Sequence, residues 1–316
     1  MTAEQHQRLT EIAIGLFGCL DAMDTLCTDR EAADALQADL DNWEVVDVRR
    51  EDAYDAGHIE GAVWSSIPGI VATAQAQGWD PATTNIAITC YTGQSARFAQ
   101  MFLLAAGYEN VRSLLWGMSS WNTSLVDSYW RAESRTNFEL PAALIETTVN
   151  DETATTYEYP TPMADNVAGA AAALTALYAD EGFGHFAVST DALAADVESG
   201  NVDWYIVNYH PLAVYDGPGG VEGDNAGVPG HVQGAYCYPP GESFSWGQKL
   251  EHLPTDGRPI AVYCWTGQTS SYAAAYLRML GYNAYTVTQG VNDMFYDMLT
   301  GHKWTDPGFE FELVTD

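Results

Sequence analysis

Two hexapeptides in this chain have the residue types for chemistry: CYTGQS at 90–95 and CWTGQT at 264–269. Each is a cysteine followed by an aromatic, Thr, Gly, Gln and a hydroxyl residue. A cysteine is a nucleophile only as its thiolate, so its surroundings decide whether it reacts. NIAIT precedes Cys90 and PIAVY precedes Cys264, both short apolar runs rich in β-branched residues that read as strands. SARFAQMFLLAAGY and TSSYAAAYLRMLGY follow them, with Phe98, Phe102 and Ala105 in one and Tyr272, Tyr276 and Met279 in the other at helical spacing. Each cysteine is therefore expected where a buried strand ends and a loop feeds a helix. Such a loop aims backbone N–H groups at the sulfur, and the helix terminus adds partial positive charge, so a lowered thiol pKa and a site for an anion are expected. Gly93 and Gly267 supply the freedom a tight loop needs. Ser95 and Thr269 are expected to cap the helices, and Gly107 and Gly281 to end them in the left-handed conformation. A lone cysteine at a strand end is more commonly a small buried hydrophobe. The recurrence of the whole pattern is what argues for function.

That recurrence belongs to a larger duplication. CTDREAADALQADLDNWEVVDVR (27–49) aligns with STDALAADVESGNVDWYIVNYH (189–210), AGHIEGAV (56–63) with PGHVQGAY (229–236), and GYENV with GYNAY. Trp43 and Trp204 are 161 apart, His58 and His231 173, and Cys90 and Cys264 174, so GPGGVEGDNAGV (217–228) is an insertion in the second copy. Short strands alternate with helices in both. The expected fold is α/β with two units, each a parallel sheet flanked by helices on both faces and its ligand site beyond the carboxyl ends of the strands. The expected boundaries are a first unit at 1–135, a linker at 136–165 and a second unit at 166–316.

VVDVR, GHIEGAV, CYTGQSA and GYENVRSLLWG, in that order and spacing, resemble the rhodanese family of sulfurtransferases, and the duplication resembles its tandem members. The resemblance spans about 27–125 and 187–300; the second copy keeps GHVQGAY, CWTGQTS and LGY but has VNYH in place of VDVR. It implies that Cys90 and Cys264 are nucleophiles that take the outer sulfur of thiosulfate, or of a persulfide or polysulfide, hold it as a persulfide, and pass it to a thiol acceptor or cyanide. It also implies that Tyr91, Thr92, Gly93, Gln94 and Ser95, and Trp265, Thr266, Gly267, Gln268 and Thr269, line the substrate, with Arg49 at the donor's anionic end. His210 takes that place in the second copy and is expected to be cationic only below about pH 6.5. Tandem members that favour thiosulfate often carry basic residues just after the cysteine, where this chain has Tyr91 and Thr92, or Trp265 and Thr266. A non-catalytic or weakly catalytic sulfur-carrier module that binds a protein partner, or hands sulfur to one, is the alternative. Phosphatase relatives of the fold grip phosphate with an arginine six positions after the cysteine. Ala96 and Ser270 stand there, and Arg97, one place late, reads as a surface residue.

Asp47 and His58 invite a triad reading with Cys90, but GHIEGA reads as a turn that His58 holds by hydrogen bonds, and His231 likewise. Trp116, Trp121, Tyr263 and Trp265 read as core or pocket-wall aromatics. The chain has 316 residues, 47% of them hydrophobic, so it can bury a sizeable core. With 43 acidic residues against 12 basic and a net charge of -31, it repels nucleic acid and anionic lipid. No run reaches the ~18 apolar residues of a membrane span, and IAIGLFGCL (12–20) reads as an amphipathic helix. Five cysteines without a CxxC, among them Cys19 and Cys27, argue against a disulfide framework and a zinc site. Calcium at Asp216, Glu222 and Asp224 lacks the regular ligand spacing, so no metal and no cofactor is expected. The expected partners are a small sulfur donor and a thiol acceptor, with the chain a monomer because a duplication supplies its own interface. Acidity and scarce lysine favour a cell-envelope location over a cytoplasmic one.

Overall fold

The computed structural model describes residues 4, 8, 30–126, 130, 140–200, 203–217, 227–241, 243–244 and 246–315. The N-terminal helix expected at 12–20, Cys19, Cys27, Glu222, Asp224 and most of the 217–228 insertion lie outside them.

The apolar runs that read as strands form two five-stranded sheets. The first contains β1 (Arg30–Glu31), β2 (Glu44–Asp47), β3 (Val63–Trp64), β4 (Ile86–Thr89) and β5 (Val111–Leu114), in the order β1-β5-β4-β2-β3. After β6 (Ile145–Glu146), the second contains β7 (Ala187–Val188), β8 (Tyr205–Asn208), β10 (Tyr236–Cys237), β11 (Ile260–Tyr263) and β12 (Ala284–Val287), in the order β7-β12-β11-β8-β10. Replacing each first-copy strand by its counterpart converts one order into the other. Every pairing in both sheets is parallel. The central strands IAIT and IAVY are buried at every position, as strands covered on both faces must be. Register fixes the neighbourhood of the thiols: Asp47 pairs with Thr89 and Asn208 with Tyr263, each one residue short of a cysteine.

The helix after each cysteine loop, α4 (Gln94–Ala105) or α8 (Gln268–Met279), follows α1 (Ala33–Ala38), α2 (Glu51–Asp55) and α3 (Ile70–Ala76) in the first copy, and α5 (Val167–Glu181), α6 (Thr190–Glu198) and α7 (Leu212–Tyr215) in the second. Gly107 and Gly281 follow α4 and α8 at φ 94° and 96°, the left-handed conformation that their position requires. One apolar core runs through both copies and joins Ile88, Phe98 and Phe102 to Val262, Tyr272 and Tyr276. Burying one such Phe stabilises the fold by about 1.5–3 kcal/mol. The seam between the copies is therefore core.

Contacts cross the expected boundaries. Within the expected linker, β6 pairs antiparallel with β9 (His231–Val232), and Leu140 and Leu144 join the second copy's core. The end of the chain crosses back to the first copy: Val314 bridges to His58, Glu310 bridges to Asn122, and the Phe311 ring lies 5.1 Å from that of Trp121. The apolar Phe309, Phe311 and Leu313 cover that side of the first core, and such long-range packing has no local signature. Among the described residues, no helix is long and apolar enough to cross a membrane. No group of three His, Cys, Asp or Glu among them is placed to hold a metal ion.

Candidate functional site

Beyond β4 the chain turns sharply at Gly93, φ 85°, and enters α4. This turn wraps the loop around the Cys90 sulfur, which accepts hydrogen bonds from the N–H groups of Gly93 (3.1 Å) and Ala96 (3.4 Å). The turn after β5 clamps the loop from below. Met118 N–H donates to the Cys90 carbonyl (2.8 Å), and Ser119 N–H (3.2 Å) and Oγ (2.8 Å) donate to that of Tyr91. Gly117 makes the clamp possible: its φ is 62°, and a Cβ there would overlap the Cys90 carbonyl oxygen.

The cradle has the expected form, but its electrostatics differ. Cys90 is 1% exposed, and burial pushes its thiol above the ordinary value against the opposing pull of Ser95 and the Ala96, Thr92 and Gly93 amides. Removing water costs a thiolate more here than these donors return. Ser95 also does not cap α4. The N-cap is Gly93, and the Ser95 hydroxyl serves the sulfur instead.

The second copy repeats the construction with different groups on the sulfur. Gly267 turns at φ 75° into α8, Val291 N–H donates to the Cys264 carbonyl (3.0 Å), and Asn292 holds the Trp265 carbonyl through N–H (3.1 Å) and Nδ2 (2.8 Å). The Cys264 sulfur, 2% exposed, accepts from Ser270 N–H (3.2 Å) and donates to Ser270 Oγ (3.5 Å), which sits 2.8 Å from Thr286 Oγ1. Thr269 is inside the first turn of α8, not its cap, which is Gly267. The role of Ser270 was not expected. Its signal was a hydroxyl residue where the first copy has Ala96.

The residue pairs ending β2 and β8 flank the loops. Arg49 is buried on Asp47, with Nε 2.9 Å and Nη2 2.6 Å from Oδ2, and Nη2 also donates to the Gly57 carbonyl (2.6 Å). Its guanidinium lies 5.9 Å from the Tyr91 ring. Arg50, which sequence reasoning passed over, is exposed, bonds Asp52 (2.7 Å) and approaches the Tyr91 side chain, so it puts a second cation beside the loop. The doubled arginine after VVDV was the available signal. His210 Nδ1 is 2.9 Å from Asn208 Oδ1, and its ring packs edge-on to Trp265 at 4.9 Å. Burial, helped by His302, pushes His210 down to about 3. The expected cation below pH 6.5 is therefore absent, because the folded protein gives its charge no water.

Other candidates resolve into structure. His58 Nδ1 is 2.9 Å from the Tyr54 carbonyl oxygen and its ring stacks on Tyr54 at 3.8 Å; His231 repeats both contacts with Tyr215 at 2.8 and 3.6 Å. Arg97 is 2% exposed, not a surface residue. It bonds Gln100 (2.8 Å) and lies 4.8 Å from the Tyr272 ring across the seam. Cys237 is a third buried cysteine. A cavity of about 360 Å³ opens between the copies, with Tyr91, Thr92 and Ser95 on one wall and Phe183, Ser189 and Thr288 on the other.

Comparison with known proteins finds the family described as "Rhodanese-like domain" twice in the chain, over residues 30–124 and 190–295. The chain belongs to the rhodanese family. Both matches contain a cysteine cradle, so the rhodanese units are the units that carry the thiols. The chain is 34% identical over 80 residues to the thiosulfate sulfurtransferase GlpE of Pseudomonas fluorescens, an alignment covering 25% of this chain and 71% of that protein. It is 33% identical over 87 residues to the protein of the same name in Pseudoalteromonas translucida, covering 27% and 80%. Among solved structures it is similar to a thiosulfate sulfurtransferase from Pseudomonas aeruginosa, at 16% identity and a TM-score of 0.31, over 95% of this chain and 49% of that one.

Proposed function

We propose that the protein is a sulfurtransferase that works through cysteine persulfides at Cys90 and Cys264. The observation that carries this reading is the duplicated cradle at a strand–loop–helix junction, in which backbone N–H groups of Gly93 and Ala96 point at the Cys90 sulfur and that of Ser270 at the Cys264 sulfur. The thiolate attacks the outer sulfur of a donor. With thiosulfate, the new S–S bond forms as the donor's S–S bond breaks, and sulfite leaves with the electron pair of that bond. The outer sulfur of the persulfide then carries the negative charge toward the Gly93 and Ala96 amides, or toward Ser270. An acceptor thiolate attacks that outer sulfur, leaves as its own persulfide, and returns the cysteine thiolate; cyanide leaves as thiocyanate.

Arg49 and Arg50 place cations beside Tyr91 of the first loop, and Tyr91, Thr92 and Ser95 form its substrate wall. A second reading, a sulfur carrier with little turnover of its own, is favoured by two observations: burial raises the Cys90 thiol, and His210 is neutral. Sulfite release from thiosulfate by wild type, Cys90→Ala, Cys264→Ala and the double variant separates the two. Enzyme activity requires a wild-type rate above that of the double variant. Intact mass after incubation with thiosulfate or polysulfide tests the chemistry shared by both readings: each cysteine that works gains about one sulfur atom, and its alanine variant loses that gain. No gain with either donor ends both.

A further inference from the structure

Each cysteine loop is held by a glutamine from the other copy. Gln268, four positions after Cys264, is fully buried. Its Nε2 donates to the Leu114 carbonyl at the end of β5 (3.4 Å) and lies over Gly93, where an added Cβ would overlap it. Gln94, four positions after Cys90, mirrors this contact while also lining the cavity between the copies. Its Oε1 accepts from Gln289 N–H just beyond β12 (3.1 Å) and lies over Gly267, where a Cβ would overlap it.

The groups these glutamines touch are the ones that shape the cradles. Gly93 and Gly267 are the left-handed residues at which each loop turns into its helix, and Gly93 N–H itself donates to the Cys90 sulfur. Leu114 and Gln289 lead into the Gly117 and Gly290 turns that close on the cysteine carbonyls. On its own side, each glutamine makes a side-chain contact to a threonine: Gln94 Nε2 donates to Thr92 Oγ1 (3.2 Å), and Gln268 Oε1 accepts from Thr266 Oγ1 (3.4 Å). The contacts across the seam are to backbone, and the contacts within a loop are to hydroxyls. Backbone placement determines where the sulfur's N–H donors point.

We propose that Gln94 and Gln268 are reciprocal positioning residues: Gln268 holds the Cys90 cradle in shape, and Gln94 holds that of Cys264. Their meaning for catalysis rests on the sulfur-transfer reading, whereas the crossed geometry does not. The test follows alkylation of each cysteine by iodoacetamide across pH 6 to 10 in the full chain, resolved by peptide mass. The variants are Gln268→Ala and Gln94→Ala, with Gln268→Met and Gln94→Met as variants that keep the side-chain length and drop the polar contacts. Removing one donor's alignment should raise the midpoint of the opposite cysteine by about half a unit, with a smaller shift at the variant's own cysteine. A shift as large or larger at the cysteine of the same loop overturns the proposal. So does a fall in thermal stability with neither profile moved, the result expected of simple interface packing. Alkylation needs no sulfur donor. Crossed shifts in a protein that takes up no sulfur would leave this proposal standing and remove only the transferase reading.

Discussion

At the end of β2 the first copy buries Asp47 against Arg49, and at the same place on β8 the second buries Asn208 against His210. Both pairs bond at a separation of two residues, beside the strand that carries the cysteine. The geometry is the same and the charge is not. The position demands two mutually bonded groups, and it accepts a charged pair or a neutral pair because neither leaves a lone ion in the core. The first site thus keeps a guanidinium near its loop, screened by a carboxylate, while the second has at that position the neutral imidazole of His210.

Mixing the pairs should produce the largest effect. Asp47→Asn alone leaves Arg49 buried without its carboxylate, and Arg49→His alone leaves Asp47 without its cation. Each should cost about 3–5 kcal/mol in urea or thermal unfolding. The double variant Asp47→Asn with Arg49→His installs the second copy's pair and should recover more than half of that loss. A double variant as unstable as the sum of the singles would break the comparison. It would show that the Gly57 carbonyl, bonded by Arg49 but with no like contact from His210, matters more than the pairing.

The sulfurs provide the next contrast. Burial raises the Cys90 thiol, so at neutral pH this cysteine is mostly protonated, and its thiolate fraction grows about tenfold per pH unit until the raised value is passed. In a Cys264→Ala background, the rate of alkylation or sulfur loading at Cys90 should climb at that slope from pH 7 to 9. A rate already flat at pH 7 would mean that the N–H donors outweigh burial after all.

Most of the fold was legible because it is local and repeated. The runs IAIT and IAVY, the glycines at 107 and 281, and the two cysteine hexapeptides each state their element within a few residues. What lies across the seam was not legible. A glutamine four positions after a cysteine does not reveal that it points into the other copy, and the strand at 145–146 is too short to announce a partner at 231–232. Arg97 could have been placed better. Its helix carries Ala96, Phe98, Ala99, Met101, Phe102 and Leu103, apolar nearly all round, which is the pattern of a helix buried on every side. The lowered thiol pKa expected at Cys90 was misjudged for a physical reason: loop motifs show the donors around a sulfur but not the depth at which they sit.

The smallest effect is expected at His210. An ordinary histidine would gain charge as pH falls through about 6.5 and would strengthen binding of an anionic donor. His210 is pushed down to about 3, so it stays neutral through pH 5 to 8 and contributes no such gain. In a Cys90→Ala background, the KM for thiosulfate should follow the same pH curve with His210 and with His210→Gln, within about twofold at every point. If the curves diverge below pH 6.5, with the histidine protein binding more tightly in acid, the imidazole takes up a proton when the donor arrives. The second site would then regain, in acid only, the cation that the first holds permanently in Arg49.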